Sequence, residues 1–287
     1  MANEHSSFLK TLPLTKIKIS IAKVLYRITA LFYGNKPRVI ERGGIRYEVD
    51  LSEGIDLSLF LFGNFQKHVT HNPYMKLPAD AVIIDVGANF GLMSLQFALV
   101  APKGCVYAFE PTHYALAKFR RNLELNPELA KIIHPVNSFV SAETSKSPNI
   151  KAFSSWKVDG NKSDDMHPVH LGAAKSAEGV GSVTLDDFCK ENNLTRLDFI
   201  KIDVDGHEYE VLNGAKEILK RFRPLVIFEI GLYVLAENHI DYSFFDAYFN
   251  SLNYKLLEST SGKEINAGNF RKFIPVNGTI DVIALPQ

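Results

Sequence analysis

The chain has 287 residues, 46% of them apolar and 22% charged, a balance that suits a folded protein with a sizeable core and excludes a disordered one. Lys+Arg and Asp+Glu are equal at 32 each, which argues against nucleic acid as a partner, because duplex binding ordinarily needs a basic excess. Cys105 and Cys189 are too few for a disulfide framework, no apolar run reaches the ~20 residues that span a bilayer, and no secretory leader is evident, so a cytoplasmic protein is expected.

Residues 1–78 read as an N-terminal extension. Pro13 can open a helix, and Ile17, Ile21, Val24, Leu25, Ile28, Leu31 and Phe32 recur at helical spacing behind it. Lys16, Ser20, Lys23 and Arg27 fall on the other face. Packing on the body or on a second copy, in a homo-oligomer, is the first reading of this helix. Peripheral contact of 16–32 with an anionic membrane is the second. Arg38 to Leu51 alternate around Gly43-Gly44 and predict a hairpin, and Ile55 to Phe62 predict a buried helix ending at Gly63.

Residues 79–287 alternate strands and helices. Strands are predicted at Ala81–Val86, Val106–Phe109, Ile132–Val140, Leu197–Ile202 and Leu225–Ile230. Helices are predicted at Leu92–Val100, His113–Leu125, Leu185–Lys190 and Tyr209–Phe222. Such alternation implies an α/β fold, a mostly parallel sheet with helices on both faces. A helix at Tyr242–Leu252 and two strands, Tyr254–Glu258 and Thr279–Leu285, close the chain, the strands as an antiparallel pair. An insertion at about 141–181 is polar and reads as a functional lid or a disordered loop, with apolar residues that suggest a partly ordered hairpin.

In an open α/β sheet, ligands bind beyond the carboxyl ends of the strands where strand order reverses. The first core strand runs into Asp85-Val86-Gly87-Ala88-Asn89-Phe90-Gly91, whose glycines allow a tight turn and close backbone approach. Glu110, followed by Pro111, ends the second strand, where a carboxylate can accept from both hydroxyls of a ribose. A dinucleotide site needs glycine where Asn89 stands, and Asp85 would repel a pyrophosphate but suit an ammonium group. S-adenosylmethionine is therefore the expected cofactor, with a nicotinamide dinucleotide and oxidoreductase chemistry as the alternative. The adenine is expected near Ser138 and Phe139.

These residues, with Phe109-Glu110-Pro111, Phe199 to Glu208 and Phe228-Glu229, resemble the FkbM family of methyltransferases over roughly Gly44 to Pro286. The resemblance implies a class I methyltransferase sheet with a reversed last strand. It also implies methylation of a hydroxyl on a sugar, glycan, glycolipid or secondary metabolite. Asn64 and Phe65 are placed to close over the methionine end, and the family often has Glu where Gln66 stands.

Lys201, Asp203, Asp205, His207 and Glu208 crowd the end of the fourth core strand. A hydroxyl is a poor nucleophile and needs a base. Asp203 is nearest by position and His207 has the ring type that titrates nearest neutrality, so the pair is taken together. Glu229 is a candidate to orient the acceptor. Asp205 and Glu208 are candidate acceptor contacts, although Asp205 could instead cap the following helix. Lys201 is read as an ion-pair partner of a neighbouring carboxylate. A divalent metal on this loop is not favoured, because one loop rarely supplies a full ligand set. Trp156 could stack on a sugar ring or anchor the insertion. His167 and His170 read as solvated. A protein that binds the cofactor but has lost catalysis is a further alternative, against which the intact Asp203–Glu208 run argues.

Overall fold

A computed structural model describes residues 14–287 apart from 35, 64–65, 71, 149, 151, 155–156, 159–172 and 277. Trp156, Asn64, Phe65, His167 and His170 therefore lie outside the described residues.

Helix α1 (Leu14–Tyr33) is followed by the hairpin β1 (Arg38–Arg42) and β2 (Ile45–Val49), turned by Gly43 and Gly44 at φ 58° and 80°. Next come α2 (Gly54–Phe62), ended by Gly63 in the left-handed region, and the short α3 (Lys67–Thr70). The core then runs β3 (Val82–Val86), α4 (Leu92–Val100), β4 (Cys105–Phe109), α5 (His113–Leu125), α6 (Pro127–Ala130) and β5 (Ile133–Val136). The third predicted strand thus stops early. Phe139–Val140 forms a separate β6 that pairs in parallel with β9 (Ser182–Val183). Between them β7 (Ala152–Ser154) and β8 (Ala173–Lys175) pair antiparallel, the hairpin expected inside the insertion.

After β9 come α7 (Leu185–Glu191), β10 (Phe199–Ile202), α8 (Glu208–Asn213), α9 (Lys216–Phe222), β11 (Leu225–Gly231), α10 (Leu232–Glu237), α11 (Ser243–Ser251), β12 (Tyr254–Glu258) and β13 (Thr279–Pro286). The helix predicted over 209–222 is broken at Gly214, where an added Cβ would meet the Ser141 carbonyl oxygen at 2.2 Å. Close approach of the Ser141 strand end therefore requires glycine there. Asp186 does not serve only its own helix. Its carboxylate accepts from the backbone N–H of Glu217 and Ile218 and caps α9.

The seven-stranded sheet has the order β12-β13-β11-β10-β3-β4-β5, parallel except for β13, which runs antiparallel between β11 and β12. This is the arrangement of a class I methyltransferase sheet, as expected. Successive residues of one strand feed opposite faces. Ile84, Ile200 and Phe228 enter one buried cluster, while their neighbours Ile83, Phe199 and Ile227 enter the other. Ile45, Tyr47, Val49 and Leu57 of the N-terminal extension join the second cluster, so the extension shares the core of the sheet. Asn122 of α5 and Asn126 at its C-cap hold β2 by accepting from the backbone N–H of Glu48 and Arg46.

Candidate functional site

Strand order reverses between β3 and β10, which pair directly with Lys201 opposite Asp85 and Ile202 opposite Val86. The chain leaves β3 through Gly87 and β10 through Asp203, and these two exits touch. A Cβ on Gly87 would lie 1.8 Å from the Asp203 carbonyl oxygen, and Gly87 has φ 79°. Both facts require glycine. Asn89 takes the left-handed region at φ 50°, which asparagine tolerates better than most side chains. Gly91, at φ 81°, has its Cα against the Phe119 ring, where a Cβ would sit 2.0 Å from the ring.

A cavity of about 330 Å³ opens above these exits, within the size range of small-molecule sites. Its wall includes Gly87, Asn89, Glu110, Pro111, Ser138 and Phe139 on one side. Asp203, Asp205, His207, Glu229, Tyr233 and Thr279 line the other. Of the residues expected to contact the cofactor, all but Asp85 and Gly91 line it. Of those expected at the catalytic and acceptor end, Asp203, His207, Glu229 and Asp205 do, and Glu208 does not.

Asp85 is a correction. It is fully buried beneath the turn, where Ser94 Oγ donates to its Oδ2 at 2.6 Å and Lys201 Nζ lies 3.4 Å from its Oδ1. Its charge is matched inside the protein, and it does not line the cavity. Gly91 is likewise a packing residue. Lys201 also lies 3.3 Å from Asp203 Oδ2, which makes it the ion-pair partner expected from the sequence. Burial opposes the lysine charge, but Asp203 and Asp85 outweigh it and hold its pKa above the ordinary lysine value.

Glu208 is the second correction. It is buried, and its Oε1 accepts from the backbone N–H of Val204 and Gly206 at 3.1 and 3.3 Å. It closes the turn from below instead of facing an acceptor. Burial pushes its carboxyl up to about 7 against those hydrogen bonds. The turn itself is the strand-to-helix turn expected, with Asp205 at φ 51° and Gly206 at φ 113°. Asp205 does not cap α8, however. His207 holds the N-cap position, without a side-chain cap.

Four carboxylates line the cavity: Glu110, Asp203, Asp205 and Glu229. Glu110 is fixed by three donors: Thr112 N–H at 2.8 Å, Thr112 Oγ1 at 2.6 Å and Asn89 N–H at 2.9 Å. Burial raises its pKa, and those hydrogen bonds oppose the rise. Asp205 keeps solvent access through the cleft but is hemmed by protein and by Asp203 and Glu110. Loss of hydration and then those two charges push it up to about 7. Glu229 accepts from Thr279 Oγ1 at 2.7 Å. Burial, followed by the Asp203 charge, raises it well above the carboxylate range. Among the described residues, His207 Nδ1 is buried without a hydrogen-bond partner, 3.9 Å from Glu210 Oε2.

Two further polar cavity residues, Thr279 and Tyr233, were not candidates from the sequence, and Gln66 was named there without a role. Gln66 donates from Nε2 to Asp203 Oδ2 at 3.2 Å, across 137 residues of chain. Thr279 reaches Glu229 only because β13 inserts antiparallel beside β11 with Gly231 opposite Thr279. Tyr233 stands in the first turn of α10, a helix absent from the sequence reading. Ile150 and Ala152 bring the insertion to the cavity wall. Among the described residues, no group of three or more His, Cys, Asp or Glu side chains converges as a metal site would require.

The residues suit S-adenosylmethionine on grounds of charge. Its sulfonium and ammonium match a cavity with four carboxylates and one already-paired lysine, whereas a pyrophosphate would be repelled by that wall. Glu110 would hold the ribose hydroxyls on lone pairs left by its three donors.

Residues 85–256 match the model of the methyltransferase FkbM domain. "Methyltransferase 1" of Beauveria bassiana is 30% identical over 154 residues, which cover 49% of this chain and 60% of that protein. "2-O-methyltransferase NoeI" of Sinorhizobium fredii is 28% identical, covering 50% of this chain and 61% of that one. "Hexuronic acid methyltransferase AglP" of Haloferax volcanii is 25% identical, covering 52% and 55%. The match thus spans less than two thirds of the length of each relative. The family model covers more than half of this chain, with the glycine turn and the Asp203–Glu208 loop inside it, and the protein belongs to the methyltransferase FkbM domain family.

Proposed function

We propose that the protein is an S-adenosylmethionine-dependent O-methyltransferase acting on a hydroxyl of a sugar, a glycan or glycolipid, or a secondary metabolite. The observation that carries this reading is the acid-lined cavity at the β3/β10 switch, which suits a cationic cofactor and sets candidate bases beside it. The relatives' names support the acceptor class: one is a 2-O-methyltransferase and one a hexuronic acid methyltransferase.

The chemistry that the cofactor supplies when bound is an electrophilic methyl carbon with a neutral thioether as leaving group. The protein must place a hydroxyl oxygen in line with that carbon and remove its proton. Asp203 and His207 share the loop after β10 and both line the cavity. Lys201 and Gln66 fix Asp203 through the same oxygen, Oδ2, which sets the orientation of the carboxylate. Asp205, pushed up to about 7, lines the cavity beside them. Glu229, on the cavity wall and held by Thr279, can hydrogen-bond the acceptor and orient it.

Calorimetry with S-adenosylhomocysteine and, separately, with NAD tests the cofactor half. Binding of the first and not the second is expected, and the reverse result would sink the reading. Mass-spectrometric detection of a 14-Da gain on sugar and polyketide-like hydroxyl panels, roughly one methylene, tests the chemistry. Methylation at nitrogen or carbon only would refute the oxygen assignment.

A further inference from the structure

From Ile21 onward, helix α1 is seated on the body by one face. Ala22 and Tyr26 pack on the second core cluster, Thr29 is buried, and Tyr33 meets the Phe60 ring edge-on at 5.2 Å. Arg38 lies over both rings. These contacts fix which side of the helix faces outward. The outward side is apolar. Ile21, Val24, Ile28, Leu31 and Phe32 fall on one stripe at helical spacing and are 54%, 54%, 52%, 81% and 76% exposed. The expected packing of this face on the body is therefore corrected. A contiguous exposed stripe of this kind marks an interaction surface.

Charge identifies the occupant. The helix sequence carries Lys16, Lys18, Lys23 and Arg27 and no acidic residue, in a chain whose charges sum to zero only with this helix included. A symmetric pairing of two copies through this face would set the cations of one helix against those of the other. An anionic headgroup layer would receive them while the apolar stripe enters the acyl boundary. No helix among the described residues is long and apolar enough to cross a membrane, so a helix bound in this way lies along the surface. We propose that α1 docks the protein on an anionic lipid surface through Ile21, Val24, Ile28, Leu31 and Phe32, with Lys23 and Arg27 at its flank.

Flotation of the full chain with vesicles tests this. Phosphatidylcholine vesicles with about a third phosphatidylglycerol should bind at least about tenfold more tightly than phosphatidylcholine alone, and high salt should remove the preference. Leu31→Glu with Phe32→Glu should cost more than about tenfold in binding without changing the melting curve, since both side chains are exposed. Lys23→Gln with Arg27→Gln should weaken anionic binding by about 25-fold, from roughly fivefold per charge. Equal binding to both vesicle types, or none to either, would overturn the proposal. So would a dimer in light scattering that the Leu31/Phe32 variant dissolves, because a second copy would then own the face.

Discussion

Lys201 stands directly opposite Asp85 in the β3/β10 ladder, and its Nζ lies 3.4 Å from Asp85 Oδ1 below the floor of the cavity. The acid that opens the glycine turn is thereby a foundation for the site. It holds the lysine that in turn orients Asp203, 3.3 Å away.

Removing that lysine should be costly. Lys201→Met leaves Asp85 buried without a cation, and a loss of about 3–5 kcal/mol in urea unfolding is expected. Lys201→Met with Asp85→Asn should recover much of it, because no unpaired charge remains. A double variant no more stable than the single one would contradict the ion-pair account.

Catalysis and cofactor binding should separate. Asp203→Asn and His207→Ala are each expected to lower turnover by about 10²–10⁴, the range of general-base loss. Affinity for S-adenosylhomocysteine should change by no more than about threefold, because Glu110 and the glycine turn hold the nucleoside end. A parallel collapse of affinity would mean that the two residues hold the cofactor and not the acceptor.

Cofactor binding should release protons. Asp205 sits at about 7, so part of the free protein carries a proton on it near neutrality. A bound cation favours its ionised form. Affinity for S-adenosylmethionine should therefore fall as pH drops below about 7, more steeply than for the uncharged thioether product. Calorimetry in buffers of different ionisation heat measures the protons directly, and Asp205→Asn should reduce their number.

Glu208 makes the free protein less stable as pH rises. Its folded-state value of about 7 lies above that of the unfolded chain. Its contribution is therefore full at acid pH, where both states are protonated, and is lost as pH climbs through about 7. The size is at most about 3 kcal/mol. Glu208→Gln keeps an oxygen for the Val204 and Gly206 N–H groups, so its melting temperature should vary less between pH 5 and 8, roughly the window of the titration. An unchanged pH profile would place the titration elsewhere.

Much of this was legible in the chain. Alternating periods located the sheet strands, the Gly43-Gly44 hairpin and the reversed strand at the end. Strand ends in such a sheet converge, so Glu110, Asp203, His207 and Glu229 could be assigned to one cavity before any contact was known. Those assignments depend on local pattern and on topology, which the sequence carries.

Direction and partnership were not legible. Asp85, Asp203 and Glu208 are alike as sequence symbols, yet one is buried against a lysine, one faces the cavity and one folds back onto backbone N–H groups. Gln66 meets Asp203, and Thr279 meets Glu229, only through long-range packing and strand register. For α1 the amphipathic period was plain, but only the seating of Ala22, Tyr26 and Thr29 decided which face is left to solvent. The sequence by itself determined the sheet, the turn and the set of acids at the switch point. The tertiary structure decided which acids line the cavity, because burial and nearby counter-charges are properties of the folded neighbourhood and not of the residue type.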